Sequence, residues 1–219
     1  MGFALREHLS FCFVGRHAVF LDIATDRYFG VSEDMSAALG RLTEGAACTG
    51  TDPALARLAA CGVLVETPRE EVPRPQRALP FDRVLETEAS GSSAQTAAFA
   101  AAIAALGSAA LELRVRGFPA VMHRLREREQ VTPERPTDCD VAKIVAGFRS
   151  VQAAFSANRR CLLYSLALGR RLQRLGEPFQ LVIAVKLAPF AAHCWIQQRE
   201  RLLNDSLEHA RLFTPILIL

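Results

Sequence analysis

Apolar positions in the first 65 residues fall into short runs bounded by polar turns. Residues 11–14, 18–22 and 27–31 read as strands, and the polar Ala24-Thr25-Asp26 between the last two makes a hairpin. Ser32 then offers an N-cap, with Glu33 and Asp34 in the first turn of a helix to about Leu42. Asp52-Pro53 opens a second, shorter helix with proline at its first position, and Gly62 stops it before the apolar Val63-Leu64-Val65. Strands, then two helices, then a last apolar piece is the order of a small winged-helix-like module.

Beyond residue 80 the pattern changes. Alanine-rich residues 94–115 and residues 118–128 predict helix on either side of Gly117, and residues 138–157 predict another. Asn158-Arg159-Arg160 breaks the pattern. Residues 161–175 then carry Leu168, Leu172 and Leu175 at i, i+4, i+7, with Gly176 and Pro178 as stop signals. Residues 179–185, 191–197 and 201–204 read as strands. The run at 97–111 is mostly alanine, is interrupted by Gly107 and Ser108, and is shorter than the ~20 residues a membrane span needs; it reads as a buried helix.

Composition and charge divide the chain at the same places. Residues 1–65 hold five basic and seven acidic residues, whereas 81–219 hold eighteen and thirteen. Between them, residues 66–80 carry four prolines and six charges, which fits neither a helix interior nor a central strand. The expected organisation is a module over residues 1–67, a linker over 68–80 and a larger domain over 81–219, with an α+β fold. The net charge of +3 implies no polyanionic partner. A net −2 over the first 65 residues speaks against DNA, whose affinity rests on neutralising phosphates. The first residues include Arg6 and Glu7 and no long apolar run, unlike a secretory signal, and the six cysteines form no C-x-x-C pair. A cytoplasmic protein with reduced thiols is expected, with neither nucleic acid nor membrane as partner.

Candidate chemistry centres on Cys161. It opens a predicted helix, where the positive end of the macrodipole favours a thiolate, and Arg159 and Arg160 precede it. His193 lies on a following strand, on the face shared with Trp195 and opposite Cys194 and Ile196. Asp205 ends the next strand-like run. Cysteine, histidine and carboxylate in that order can act as nucleophile, acid–base and orienter, the papain-like and transglutaminase-like arrangement. Against this stand plainer readings: a lone cysteine is usually a small buried hydrophobe, and Cys161, His193, Cys194 and Asp205 are all metal-ligand types. The opposite facing of His193 and Cys194 argues against a shared ion, and no metal or other cofactor is expected.

The segment from Cys161 to Asp205 resembles the leader peptidases of lasso peptide biosynthesis, the B-proteins. Cys161, Ser165, Leu166, Ala167 and Leu168 match C-x-x-x-S-x-A-L; residues 181–185 match a strand like LVIGV, with Ala184 at its glycine. Pro189, Phe190, His193 and Trp195 match PF-x-x-H-x-W, and Asn204 and Asp205 complete the pattern. Residues 19–32, VFLDIATDRYFGVS, are similar to the hairpin of a RiPP recognition element. The resemblance implies a recognition element fused to a transglutaminase-like cysteine peptidase, with Cys161, His193 and Asp205 as its triad. It implies an endopeptidase that removes the leader of a lasso precursor peptide. The new amine is then joined to a side-chain carboxylate by a partner cyclase resembling asparagine synthetase, through which alone ATP enters. Transglutaminase-like acyl transfer and a non-catalytic delivery scaffold are the alternatives. In the recognition element the leader would add a strand to the edge formed by Arg27, Tyr28, Phe29, Gly30 and Val31, with residues 53–61 as the other wall.

Overall fold

A computed structural model describes residues 2–45, 52–68, 72–87, 92–127, 138–155 and 160–219. Polar turns cut the start of the chain into β1 (Gly2–Leu5), β2 (Leu9–Val14), β3 (His17–Asp22) and β4 (Arg27–Gly30). The last three form an antiparallel meander in that order. Asp22 closes its second turn by accepting from the Ala24 and Thr25 N–H groups at 3.0 and 3.3 Å, an Asx turn, and pairs with Arg6 at 2.9 Å. α1 (Glu33–Thr43) and α2 (Pro53–Ala60) follow, and β5 (Leu64–Thr67) returns to pair with β1. Asp52 caps α2 by accepting from the Ala54 N–H at 2.9 Å. Ser32 stands at the N-cap of α1, but its hydroxyl donates to the Asp34 carboxylate instead of accepting a backbone N–H.

Both faces of the meander are apolar. Phe11, Phe20 and Phe29 are register partners across the three strands, and their rings pack at centroid distances of 5.8 and 5.1 Å. Together with Leu9 and Ala18 they face Leu39 of α1 and Leu55 and Leu58 of α2. Cys12, Val19 and Leu21 point the other way, into the core built by the rest of the chain. Buried Ser10 adds a hydrogen bond from its hydroxyl to the carbonyl of Ile216. The meander is therefore sandwiched between its own helices and the C-terminal half.

Residues 72–82 hold no helix or strand and lead to β6 (Arg83–Val84). Then come α3 (Ser92–Arg126), α4 (Asp138–Phe155), α5 (Cys161–Arg174), β7 (Gln180–Leu187), β8 (Phe190–Gln198), β9 (Arg201–Leu202), α6 (Leu207–Ala210) and β10 (Thr214–Ile218). The sheet order is β10-β7-β8-β9-β6, antiparallel except for β6 against β9. On one face Leu181, Ile183, Cys194 and Ile196 pack in the core that α3, α4 and α5 help to build. α5 lies close to the sheet because Gly169 has no Cβ, which would sit 2.8 Å from the Phe179 ring. On the other face Val182, Ala184 and Trp195 meet Phe81, Ala210 and Phe213.

Two expectations change. The alanine-rich helix is not buried all round: Ala102, Leu106 and Ala109 form a buried stripe, while Ile103, Leu111 and Val115 are exposed, Val115 at 72%. α4 approaches so closely that a Cβ on Gly147 would lie 2.5 Å from the Ala98 carbonyl oxygen, yet it covers only that one side. By length and composition alone residues 93–126 could cross a membrane, a property that core helices of soluble proteins share. The second change concerns Asp205. It does not end a strand, since β9 stops at Leu202 and Asp205 lies in the bend before α6.

Candidate active site

α5 begins at Cys161, with Arg160 at its N-cap and the first helical bond from the Tyr164 N–H to the Arg160 carbonyl at 3.0 Å. The N–H groups of this first turn have no intrahelical acceptor, and that of Leu162 donates to the Cys161 sulfur. The Cys194 N–H on β8 does the same from the side. Arg160 is exposed, and Arg159 lies outside the described residues.

His193 projects from β8 on the Trp195 face, as strand alternation requires, and its ring packs 5.1 Å from Phe213 and 5.9 Å from Trp195. Its Nε2 stands 2.7 Å from Asp205 Oδ2, and the ring also hydrogen-bonds the Cys161 thiol. With Nε2 committed to the carboxylate, Nδ1 is the nitrogen left for sulfur. Cys161, His193 and Asp205 thus form one connected chain of side chains.

Electrostatics follow from these contacts. Burial acts to raise the Cys161 thiol, but the hydrogen bond and charge of His193, with the Cys194 and Leu162 N–H groups, hold it below its ordinary value. Burial acts to lower His193, yet Asp205 and the thiolate lift it to about 9. Asp205 is likewise held below the usual carboxylate range, against its burial, by His193, the Ser206 N–H and His209. A thiolate–imidazolium pair is the outcome. Burial drives Cys194 far upward instead, so the neighbouring cysteine stays a thiol.

A second hydrogen-bonded chain fixes the parts relative to one another. Asn204 accepts from the Ile196 N–H at 2.7 Å and donates to Ser165 Oγ at 2.9 Å, while the Ser165 hydroxyl donates to the Cys194 carbonyl at 3.0 Å. α5, β8 and the bend carrying Asp205 are thereby tied together one turn below the thiol. Ser165 and Asn204 were legible as motif residues; their bracing role was not. Also outside the sequence-based site are Arg149 and Gln152 of α4, which line the same cavity of about 560 Å³ as Cys161 and His193. Arg149 is held by Leu85 O at 2.7 Å and Thr87 Oγ1 at 3.1 Å.

A family model described as the transglutaminase-like superfamily matches residues 103–218. The chain belongs to this superfamily. Membership is consistent with a cysteine peptidase or an acyl transferase, and the matched span contains all three residues of the Cys161–His193–Asp205 chain. Nothing matches among curated proteins or solved structures.

The transglutaminase-like site also gathers metal-ligand types: ligand atoms of His193, Asp205 and His209 lie within 4.8 Å of one another. Zinc bonds of ~2.0–2.1 Å at tetrahedral angles hold ligand atoms about 3.3 Å apart. The 2.7 Å between His193 and Asp205 is instead a hydrogen-bond distance.

The residues expected to bind a leader lie apart from the thiol but not far from it. β4 is the outer strand of the meander, with Val31 just beyond its end. Phe29 packs inward toward α1 and α2. Tyr28 packs the other way, its ring 5.6 Å from Phe190 of β8. Burial, then the charges of Asp26, Cys194 and Cys161, push its phenol upward, so Tyr28 is within electrostatic reach of the nucleophile. A cavity of about 390 Å³ beside β4 is lined by Tyr28, Phe29, Gly30 and Val31 together with Leu187 and Phe190. Its far wall is the β7–β8 hairpin, not residues 53–61 as expected, because the meander presents its Tyr28 face to the C-terminal half. Arg27 is exposed and outside this lining.

Proposed function

We propose that this protein is a cysteine endopeptidase, acting in the cytoplasm, that holds the leader of a lasso precursor peptide and cuts it from the core before a partner cyclase closes the macrolactam. The observation that carries the reading is the Cys161 thiol at a helix start, hydrogen-bonded to a His193 that Asp205 holds at 2.7 Å. In this mechanism the Cys161 thiolate attacks the scissile carbonyl, and the Cys161 N–H would stabilise the developing oxyanion. The His193 imidazolium gives its proton to the leaving amine, which departs with the core peptide, leaving the leader as a thioester on Cys161. His193, now neutral, takes a proton from water as the water attacks the thioester, and the thiolate is released.

The leader would pair with the free edge of β4 as an added strand. That edge supports the reading because it is the outer strand of its sheet and lies beside the hairpin that carries His193. Fusion of the two functions in one chain would place the cut at a fixed distance from the bound leader.

Two measurements test this. Incubated with a synthetic lasso precursor peptide and followed by mass spectrometry, the wild type releases leader and core, while Cys161→Ala releases neither. Cleavage by the alanine variant removes the nucleophile assignment, and an amine adduct of the leader in place of the free acid makes the protein an acyl transferase. In hydrogen exchange, the leader peptide alone protects the amides of residues 27–31; protection elsewhere, with none on β4, removes the docking strand.

A further inference from the structure

We infer that His209 is a positioning residue of the catalytic centre, holding the Asp205 carboxylate beside His193. The inference rests on the proposed catalytic roles of Cys161, His193 and Asp205, and it extends the triad by one member.

The local sequence builds the contact. Ser206 caps α6, its hydroxyl accepting from the His209 N–H at 3.2 Å. This short turn brings His209 back over Asp205, four residues earlier. His209 Nδ1 lies 3.1 Å from Asp205 Oδ1 and 3.4 Å from Oδ2. A carboxylate only accepts, so Nδ1 is the protonated nitrogen. Asp205 therefore receives three donors: His193 Nε2–H at 2.7 Å, the Ser206 N–H at 2.9 Å and His209 Nδ1–H. Without the third, Oδ1 keeps only the Ser206 N–H, and the carboxylate that orients the His193 ring is held less firmly.

The ring has a second contact. It meets His193 edge-on at a centroid distance of 4.5 Å and Phe213 at 5.3 Å. Lys186 of β7 sits over the other part of this cluster, 5.1 Å from the Phe213 ring. Among the described residues, the charged or titratable groups in contact with His209 or with its ring partner Phe213 include Asp205, His193 and Lys186. Donor and ring contributions can be separated by substitution. Asparagine places an N–H donor where Nδ1 stands and removes the ring. Phenylalanine keeps the ring and removes the donor.

The test measures alkylation of Cys161 by iodoacetamide as a function of pH, which needs no peptide substrate, and then kcat/KM on the precursor. For His209→Phe the low-pH reactivity of Cys161 falls and kcat/KM drops about tenfold, the effect of losing one hydrogen bond to a partly solvated charge. His209→Asn keeps the wild-type pH profile. A phenylalanine variant with the wild-type profile overturns the inference, as does an asparagine variant impaired as much as phenylalanine. If the wild type alkylates as described but cuts no precursor, the proposed substrate fails while the role of His209 stands.

Discussion

The β2–β3–β4 meander and the β10–β7–β8–β9–β6 sheet share a construction: each has apolar residues on both faces and packs into the shared core through one of them. They differ in how the second face is covered. Over the meander α1 and α2 close it with a ladder of three phenylalanines. Over the larger sheet the cover is thin, the irregular approach with Ala78 and Phe81 and the single turn of α6 with Phe213 after it. His193 and Asp205 sit where that cover ends, 16% and 9% exposed, beside the α5 start. Chemistry is lodged where apolar packing stops, because a titratable pair needs partial burial to tune it and an opening to admit substrate.

The largest effect that can break this contrast is His193→Ala. Loss of a positioned general acid costs ~10²–10⁴-fold in rate, and the Cys161 thiol loses the hydrogen bond and charge that lower it. Steady-state cleavage of a precursor peptide and iodoacetamide alkylation at low pH should fall together. Survival of either would separate thiol activation from His193. The counterpart in the other sheet is Leu21→Ala, at a position fully buried in the core shared with the C-terminal half. A cavity there costs ~2–5 kcal/mol. A single cooperative urea transition, moved to lower denaturant for both halves, is expected; a transition confined to the N-terminal part would show that the meander folds by itself.

How much of this was legible depends on how local each cause is. Strands at 17–22 and 27–30 and helices at 33–43, 53–60 and 161–174 follow from turn residues, caps and periodicity within their own segments, and their predicted limits differ by one or two residues. β1 was not legible, since its partner β5 lies about 60 residues away, and neither was β6, a two-residue strand that exists only through its pairing with β9; the strand expected at 201–204 is present as β9 but ends at Leu202. β10 was passed over although residues 214–218 are mostly apolar. At the site, a cysteine at a helix start and a histidine on a strand are local patterns. The Ser165–Asn204 brace, the Cys194 N–H and the approach of His209 to Asp205 are relations between elements. Strand alternation makes Tyr28 and Phe29 face opposite ways, but nothing local says that the Tyr28 side meets β8.

The pH dependence sharpens the contrast between the buried cysteines. Cys161 is lowered and His193 raised to about 9, so the thiolate–imidazolium pair dominates between those two values. As pH falls through the Cys161 value the nucleophile is protonated; as it rises through about 9, His193 loses the proton owed to the leaving amine. A bell-shaped kcat/KM profile with its alkaline limb near 9 is expected. Because the folded His193 value exceeds its unfolded 6.5, its stabilising contribution is complete below 6.5 and disappears as pH passes about 9. Cys12, in the meander face that meets the core, is pushed up to about 12 by burial. It should resist alkylation across the whole range in which Cys161 reacts, and equal labelling of the two would contradict the packing of that face.

Ser10→Ala carries the smallest expected effect and addresses the seam between the two sheets directly. Ser10 is 3% exposed, and its hydroxyl donates to the Ile216 carbonyl of β10. Ser10 begins an otherwise apolar stripe, with Cys12 and Val14 after it on the same face of β2. A serine among such neighbours is tolerated only if its hydroxyl is satisfied, and the carbonyl it serves lies at the β-bulge between Pro215 and Leu217, where the β7–β10 register shifts. Alanine removes the donor and leaves that carbonyl buried without it, a loss of about 1–3 kcal/mol. Valine fills the space better but leaves the same orphan, so it should not recover the stability. Cysteine offers only a weak S–H donor and should fall between serine and alanine. If alanine and valine both match the wild type in urea denaturation, the carbonyl finds water, and the seam at β2 and β10 is open to solvent where the packing shows it closed.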